Sequence, residues 1–405
     1  MPAVHFTNLL IVAAAGLLAP LALGFFPRVR LPAIVLEIVL GIVIGPSGLG
    51  WVEPDPAVSV LALVGLAFLL FLAGLEFDAE RLRGRIVGFA AVGFGVSFVI
   101  AFVLGIGLNA GGLVKSPLFV AIVLVASSLG VIFPVLKDSG TIGGSFGQLV
   151  ITSASIAEFG SIILLSLFFS STGAASTAGV LILLGGFGLV LALVGLAIAG
   201  FERSMSLAHV VRGLQDATAQ IRVRAAFVLL IGFSALADEV GLETILGAFA
   251  AGALLSLLDR DDVTHPLFRT KLEAVGFGVF IPIFFVTSGL RFDLAALFAS
   301  ASTVARVPLF LLAIYLARGL PALLYVRLLG RAQAVIVGIL QATSLPFVVA
   351  ATQIGLGLGV VSRASAAALV AAALLSVAIS PTLALVLLRR RPPRIAGHPA
   401  PNPAT

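Results

Sequence analysis

Apolar residues run down this chain in long blocks separated by short polar or Gly- and Pro-rich stretches. The blocks cover roughly 7–25, 31–48, 57–76, 86–108, 116–136, 146–170, 178–200, 222–240, 242–258, 273–290, 303–326, 332–354 and 362–388. An α-helix needs about 20 apolar residues to cross the hydrocarbon of a bilayer, so the pattern predicts thirteen transmembrane helices. The ninth block is short, and only Asp238–Glu243 separates it from the eighth.

Composition agrees with a lipid solvent. Hydrophobic residues make up 60% of the chain and charged ones 10%, and the mean hydropathy is +1.22. A water-facing surface cannot be covered on that supply, so the fold class is an all-α polytopic membrane protein. The net charge of +6 does not point to nucleic acid, because no basic stripe is interleaved with aromatics; the Arg residues sit mostly in short loops. With no Cys, disulfides and thiolate metal sites are excluded. His5, His209, His265 and His398 all fall in loops or tails, which argues against a His-based metal site or proton relay. No cofactor and no enzymatic chemistry are expected. Leu9–Phe25 lacks a preceding basic region and a clear cleavage site, so it reads as a retained helix.

Charge sets the orientation. With the first loop inside, Arg28, Arg30, Arg81, Arg83, Arg85, Lys137, Arg203, Arg212, Arg222, Arg224, Arg260, Arg269, Lys271, Arg327, Arg331, Arg389–Arg391 and Arg394 are all expected to face the cytoplasm, whereas Lys115, Arg291 and Arg363 face out. The amino terminus is therefore expected outside and the carboxyl terminus inside. Residues 1–388 form the membrane domain, and 389–405 are a short Arg- and Pro-rich cytoplasmic tail with no appended soluble domain expected.

Ala73-Gly74-Leu75-Glu76-Phe77-Asp78 and Ser288-Gly289-Leu290-Arg291-Phe292-Asp293 are two copies of one phrase, each closing an apolar block. An odd number of blocks lies between them, so the copies point opposite ways across the membrane. Gly41-Ile42-Val43-Ile44-Gly45 is similarly echoed by Gly247-Ala248-Phe249-Ala250-Ala251-Gly252. An inverted repeat of this kind is the plan of many secondary transporters.

Two ionisable residues lie deep in apolar blocks: Glu158 in the sixth and Arg318 in the eleventh. Such a charge costs about 2.5–3.5 kcal/mol at a helix centre on insertion scales, so neither is expected to face lipid. Ser155 and Ser161 flank Glu158 at helical spacing, and Thr152 and Ser153 extend the strip. One reading is a structural carboxylate paired with an Arg. The other is a carboxylate that binds a proton and a cation in turn, burial disfavouring its charged form and Arg318 favouring it. Ser127 and Ser128 precede Gly130 and Pro134 in the fifth block; Thr343 and Ser344 precede Pro346 in the twelfth. Hydroxyls beside helix breakers at mirrored places suggest two crossing broken helices, whose free carbonyls and helix ends coordinate ions. Glu37, near mid-depth in the second block, suits a structural or gating role, and Arg306 can snorkel to the outer edge. Asp238, Glu239 and Glu243 could draw cations to the outer mouth or form a solvated loop.

Leu31-Pro32, Glu37, Gly41, Gly45-Pro46-Ser47-Gly48-Leu49-Gly50, Phe71–Glu76, Gly241-Leu242, Leu246–Phe249, Pro282–Phe285, Ser376 and Ser380-Pro381 come in an order that resembles the monovalent cation:proton antiporter superfamily, in its bacterial sodium/proton exchanger and potassium-efflux branch. The similarity runs over about 7–388. It implies that Glu158 is the ion-binding carboxylate, where the family usually has Asp, and that Arg318 is the basic residue facing it. It also implies a mobile core (mainly 86–170 and 303–388), a scaffold and homodimer part (mainly 7–76 and 178–290), and residence in the inner or plasma membrane. Ala157 departs from the family's polar residue and Leu345 from the acid that potassium-efflux members often carry. Exchange of Na⁺, K⁺ or Li⁺ for protons is the leading expectation. A sodium-coupled symporter of an organic anion, or a sensor or channel-like leak, are the alternatives.

Overall fold

The computed structural model describes residues 6–25, 31–76, 85–142, 144–169, 185–196, 220–258 and 267–390, and these are helical throughout apart from turns and short breaks. Outside them lie Phe77 and Asp78 of the first repeated phrase, the four His residues, most of the inner loop 202–224, Arg28, Arg30, Arg81, Arg83, Arg203, Arg212, Arg260 and the tail beyond Arg390.

In chain order the helices are α1 Phe6–Phe25, α2 Ala33–Ile44, α3 Pro56–Leu75, α4 Arg85–Ala110, α5 Pro117–Val125, α6 Leu129–Asp138, α7 Gly144–Phe168, α8 Gly185–Leu196, α9 Ile221–Glu239 and α10 Thr244–Leu258. They continue with α11 Phe268–Leu290, α12 Leu294–Phe298, α13 Ala301–Leu329, α14 Arg331–Gln341, α15 Pro346–Gly357 and α16 Arg363–Arg390. Among the described residues seven helices are long and apolar enough to cross a membrane, or up to eight if α14 and α15, bent by 42°, make one span. Val92, Val99, Val103 and Ile106 of α4 and Leu10, Leu17 and Leu21 of α1 are exposed, a surface suited to lipid. This is an all-helical, multi-pass integral membrane protein.

Local chemistry sets several boundaries. Asp55 accepts a hydrogen bond from Val58 N at 2.9 Å, with Pro56 starting α3; Ser116 accepts from Phe119 N at 3.2 Å, with Pro117 starting α5. In both, a short oxygen side chain satisfies a free N–H while Pro takes a position that needs no donor. The second apolar block forms a helix of only 12 residues, because Pro32 precedes it and Gly45-Pro46 ends it. At 1.5 Å per residue α2 is about 18 Å long, short of the hydrocarbon thickness.

The chain divides into two compact units: residues 1–79 with 162–299, and 80–161 with 300–405. In the first unit α2 packs on α11 and α3 on α10, and both crossings bring backbone against backbone. A Cβ added to Gly41 would lie 2.1 Å from Val286 O, and one on Gly289 2.2 Å from Ile38 O. At the other crossing, Gly74 would meet Phe249 O at 2.1 Å and Gly252 would meet Phe71 O at 1.9 Å. Each helix thus offers a glycine to the carbonyl ridge of its partner, the small-residue packing that lets membrane helices approach closely. In the second unit Ile132, Leu136, Leu149 and Val150 form a core with Val337 and Leu340.

Any side chain at these crossings must push two helices apart, and overpacking costs about 1–3 kcal/mol. Gly252→Ala is expected to lower the melting midpoint in detergent, whereas Gly232→Ala, whose Cβ meets nothing within 4 Å, leaves it level or raised. Equal midpoints for the two variants would refute the close-packing account.

Candidate functional site

The fifth and twelfth apolar blocks both break within the second unit. Between α5 and α6, Ala126 (φ −63°, ψ 150°) and Ser128 (φ −117°, ψ 105°) are extended. Between α14 and α15 the chain leaves the helix over Ala342–Leu345, and Pro346 starts α15. Gly130 and Pro134 do not mark the first break: they lie inside α6, after it. The physical reason is tertiary. Ser128 N donates to Thr343 O at 2.8 Å and Ser127 Oγ donates to Gln341 O at 3.1 Å, so each interrupted helix finds a partner in the other interruption. Backbone groups released in an apolar interior must be paired somewhere, and here they are paired across the crossing.

Glu158, on α7 and 9% exposed, reaches this crossing. Its Oε2 accepts from Leu129 N at 3.0 Å, the first amide of α6. Ser128, the residue positioned to cap α6, makes no side-chain cap, so a carboxylate from another helix closes that end. A helix N-terminus carries roughly half a positive charge and favours an anion there.

The predicted hydroxyls are all buried around the two breaks and α7: Ser127, Ser128, Ser155, Thr343 and Ser344. Among the described residues, Thr343 Oγ1 and Ser344 Oγ have no hydrogen-bond partner, nor does Ser161 Oγ one turn beyond Glu158. Buried hydroxyls are normally bonded, so these three are exceptions to the rule.

Arg318, on α13, is 4% exposed. Its described hydrogen bonds run to Gln341 and Ser97: Nε to Gln341 O at 3.3 Å, Nη2 to Gln341 Oε1, and Nη1 to Ser97 Oγ at 3.3 Å. Gln341 Nε2 in turn donates to Val150 O of α7 at 2.9 Å. Ser97 and Gln341 were not singled out from the sequence. Gln341 stands in the polar phrase before Pro346 and was readable as part of it, but Ser97 is a lone hydroxyl in an apolar block and carries no such signal. Glu37 is buried in α2 and belongs to the first unit. In the α9–α10 turn, burial and then the charge of Asp238 push Glu243 up to about 7.

The model of the transmembrane sodium/hydrogen exchanger family matches residues 13–389. The chain belongs to that family. As a family of transporters it performs no enzymatic conversion. This exchanger-family chain is 31% identical over 398 residues to YjbQ of Bacillus subtilis, provisionally named a Na(+)/H(+) antiporter, covering 95% of this chain and 63% of that protein. It thus spans less than two thirds of that relative. A Na(+)/H(+) antiporter of Enterococcus hirae is 31% identical over 276 residues, 66% of this chain and 68% of that one. The solved sodium proton antiporter MjNhaP1 of Methanocaldococcus jannaschii shares the fold, with a TM-score of 0.69 over 95% of this chain and 98% of that one at 17% identity. The organic-anion symporter alternative finds no support among these proteins.

Because Thr343 Oγ1 makes no internal bond, Thr343→Val should leave thermal stability level or slightly raised. Ser127→Ala gives up the bond to Gln341 O and should cost about 0.5–1.5 kcal/mol. A destabilised Thr343→Val protein beside an unaffected Ser127→Ala protein, in matched thermal melts, would contradict this hydrogen-bond assignment.

Proposed function

We propose that the protein exchanges a monovalent cation, Na⁺ or K⁺, for protons by alternating access, with Glu158 as the group both compete for. The observation that carries this is the buried carboxylate of Glu158 on the α6 amide end, at a crossing where Thr343 and Ser344 hold hydroxyls with no partner. With the proton on, the carboxyl is neutral. With the proton off, it offers an anionic oxygen to a cation that Ser127, Ser128, Ser155, Thr343, Ser344 and freed carbonyls help coordinate. Arg318 is the compensating positive charge of the same unit.

The second unit, with both broken helices, Glu158 and Arg318, is the moving core in this scheme, and the first is scaffold and homodimer face. The reciprocal glycine crossings support the inverted repeat. Gly74 and Gly289 hold the same place in the repeated phrase, and their partners Gly252 and Gly41 lie in the second echo. In this reading α5 with α6 and α14 with α15 each count as one crossing, the five-residue α12 counts as none, and the chain crosses thirteen times. The excess of basic residues in alternate loops favours the amino terminus outside and the carboxyl terminus in the cytoplasm, in the inner or plasma membrane.

Glu158→Gln keeps the shape but cannot alternate between acid and anion. In everted vesicles it should abolish proton movement driven by Na⁺, K⁺ or Li⁺ while membrane levels stay normal; wild-type rates in this variant would sink the assignment.

Exchange is expected to be one proton for one cation. Ala157 leaves Glu158 as the only acid identified at the crossing among the described residues, Glu37 belongs to the first unit, and the Arg318 guanidinium stays charged. In proteoliposomes clamped with potassium and valinomycin, Na⁺ exchange should ignore the membrane potential. Uphill Na⁺ movement driven by a negative interior would mean that a second group carries protons.

A further inference from the structure

We infer that the connection between α2 and α3 is a membrane anchor: it seats Trp51, with Leu49 beside it, in the headgroup–acyl boundary of the bilayer at that end of the first unit. The partner is the lipid surface itself, and the inference stands apart from the exchange reading above.

Residues 45–55 turn back onto the last turn of α2. Leu49 N donates to Val43 O at 2.7 Å, and Trp51 N and Val52 N both donate to Ile44 O, at 2.9 and 3.1 Å. Gly48 N and Gly50 N donate to Gly45 O at 3.0 and 2.9 Å. The return is tight because residue 48 is glycine; a Cβ there would lie 2.3 Å from Val43 O. Ser47 fastens the segment to the α11–α12 corner: its Oγ donates to Phe292 O at 2.7 Å and accepts from Leu294 N at 3.4 Å. Val52 is buried in a core with Ile44, Val58 and Leu290. With these backbone donors spent inward, the segment can lie where water is scarce.

What this bonded platform turns outward is apolar. Trp51 is 63% exposed and Leu49 55%. Polar groups mark the level at which they stand. Asn8 Nδ2, at the start of α1, donates to Glu53 O at 3.3 Å, and Arg291 Nη2, at the end of α11, donates to Ser59 Oγ of α3 at 2.9 Å. Further along α1 and α3, Leu10, Val60 and Leu63 are exposed, which continues the surface suited to lipid. Trp51 thus stands where an apolar surface meets a charged one. An indole is a broad apolar ring with one N–H donor, and that combination fits the boundary between hydrocarbon and headgroups.

Trp51 is the single tryptophan of the chain, so the emission of the unaltered protein reports this position alone. The test reconstitutes wild-type protein in phosphatidylcholine brominated near the top, at the middle or at the end of the acyl chain, and reads quenching in each. Aqueous acrylamide is a separate arm. Bromines near the top should quench at least about twofold more than bromines at the chain end, because a hydrocarbon half-thickness of about 15 Å separates the two depths. Combining Trp51→Phe with Leu63→Trp moves the probe to an exposed site about 10 Å along α3 from Pro56, at 1.5 Å per residue, and should shift the strongest quenching to deeper bromines. Quenching of Trp51 that is equal or stronger with chain-end bromines puts the ring away from the boundary and overturns the inference. Strong acrylamide quenching with none from any brominated lipid makes residues 45–55 a solvated loop, which also overturns it. Resistance to both quenchers means that a second copy of the chain covers this face, and the lipid assignment is then wrong.

Discussion

A helix interrupted inside a membrane must find partners for the backbone groups it releases, and the second unit is organised around that requirement. Water is not at hand, so each break supplies what the other lacks: Ser128 N meets Thr343 O and Ser127 Oγ meets Gln341 O. The amide of Leu129 at the start of α6 is met by Glu158 from a neighbouring helix. That carboxylate is thus part of the solution to a backbone problem. A charge that would be costly in lipid is held by the partial positive charge of a helix end.

The hydroxyls show the complementary choice. Ser127 is spent on structure, while Thr343 and Ser344, a few residues away in the opposite break, are spent on nothing within the protein. Folding alone gives no reason for two unbonded buried oxygens at this crossing. In the exchange proposed above, a transported cation takes the place of the missing donors while bound. Arg318 and Gln341 form a further polar cluster in the same unit, bonded to one another and, through Arg318, to Ser97.

The first unit follows a different economy. Its helices carry few polar groups to bind one another, and glycine lets them touch. Gly41 with Gly289, and Gly74 with Gly252, bring carbonyl ridges within reach of facing backbone at two equivalent crossings. Close van der Waals contact is what association in lipid rests on when the hydrophobic effect between helices is absent.

Much of this was legible in the order of residues. Apolar block lengths specify a multi-pass helical protein, because lipid admits hardly any other backbone. Glu158 and Arg318 declare themselves as charges where charges are costly, and the repeated phrases around Gly74 and Gly289 declare glycines that the crossings use. These are one-dimensional signals: each is a matter of which residue type stands at which depth. What the tertiary structure alone decided is who meets whom. The break at Ala126–Ser128 precedes Gly130 and Pro134, since a cross-helix backbone bond and not a breaker residue stabilises it. The bonds of Arg318 to Gln341 and Ser97, and of Glu158 to an amide of α6, join residues far apart in the chain. Hydrogen bonds are short and directional, so they depend on angstrom-scale placement that hydropathy, an average over whole blocks, does not encode.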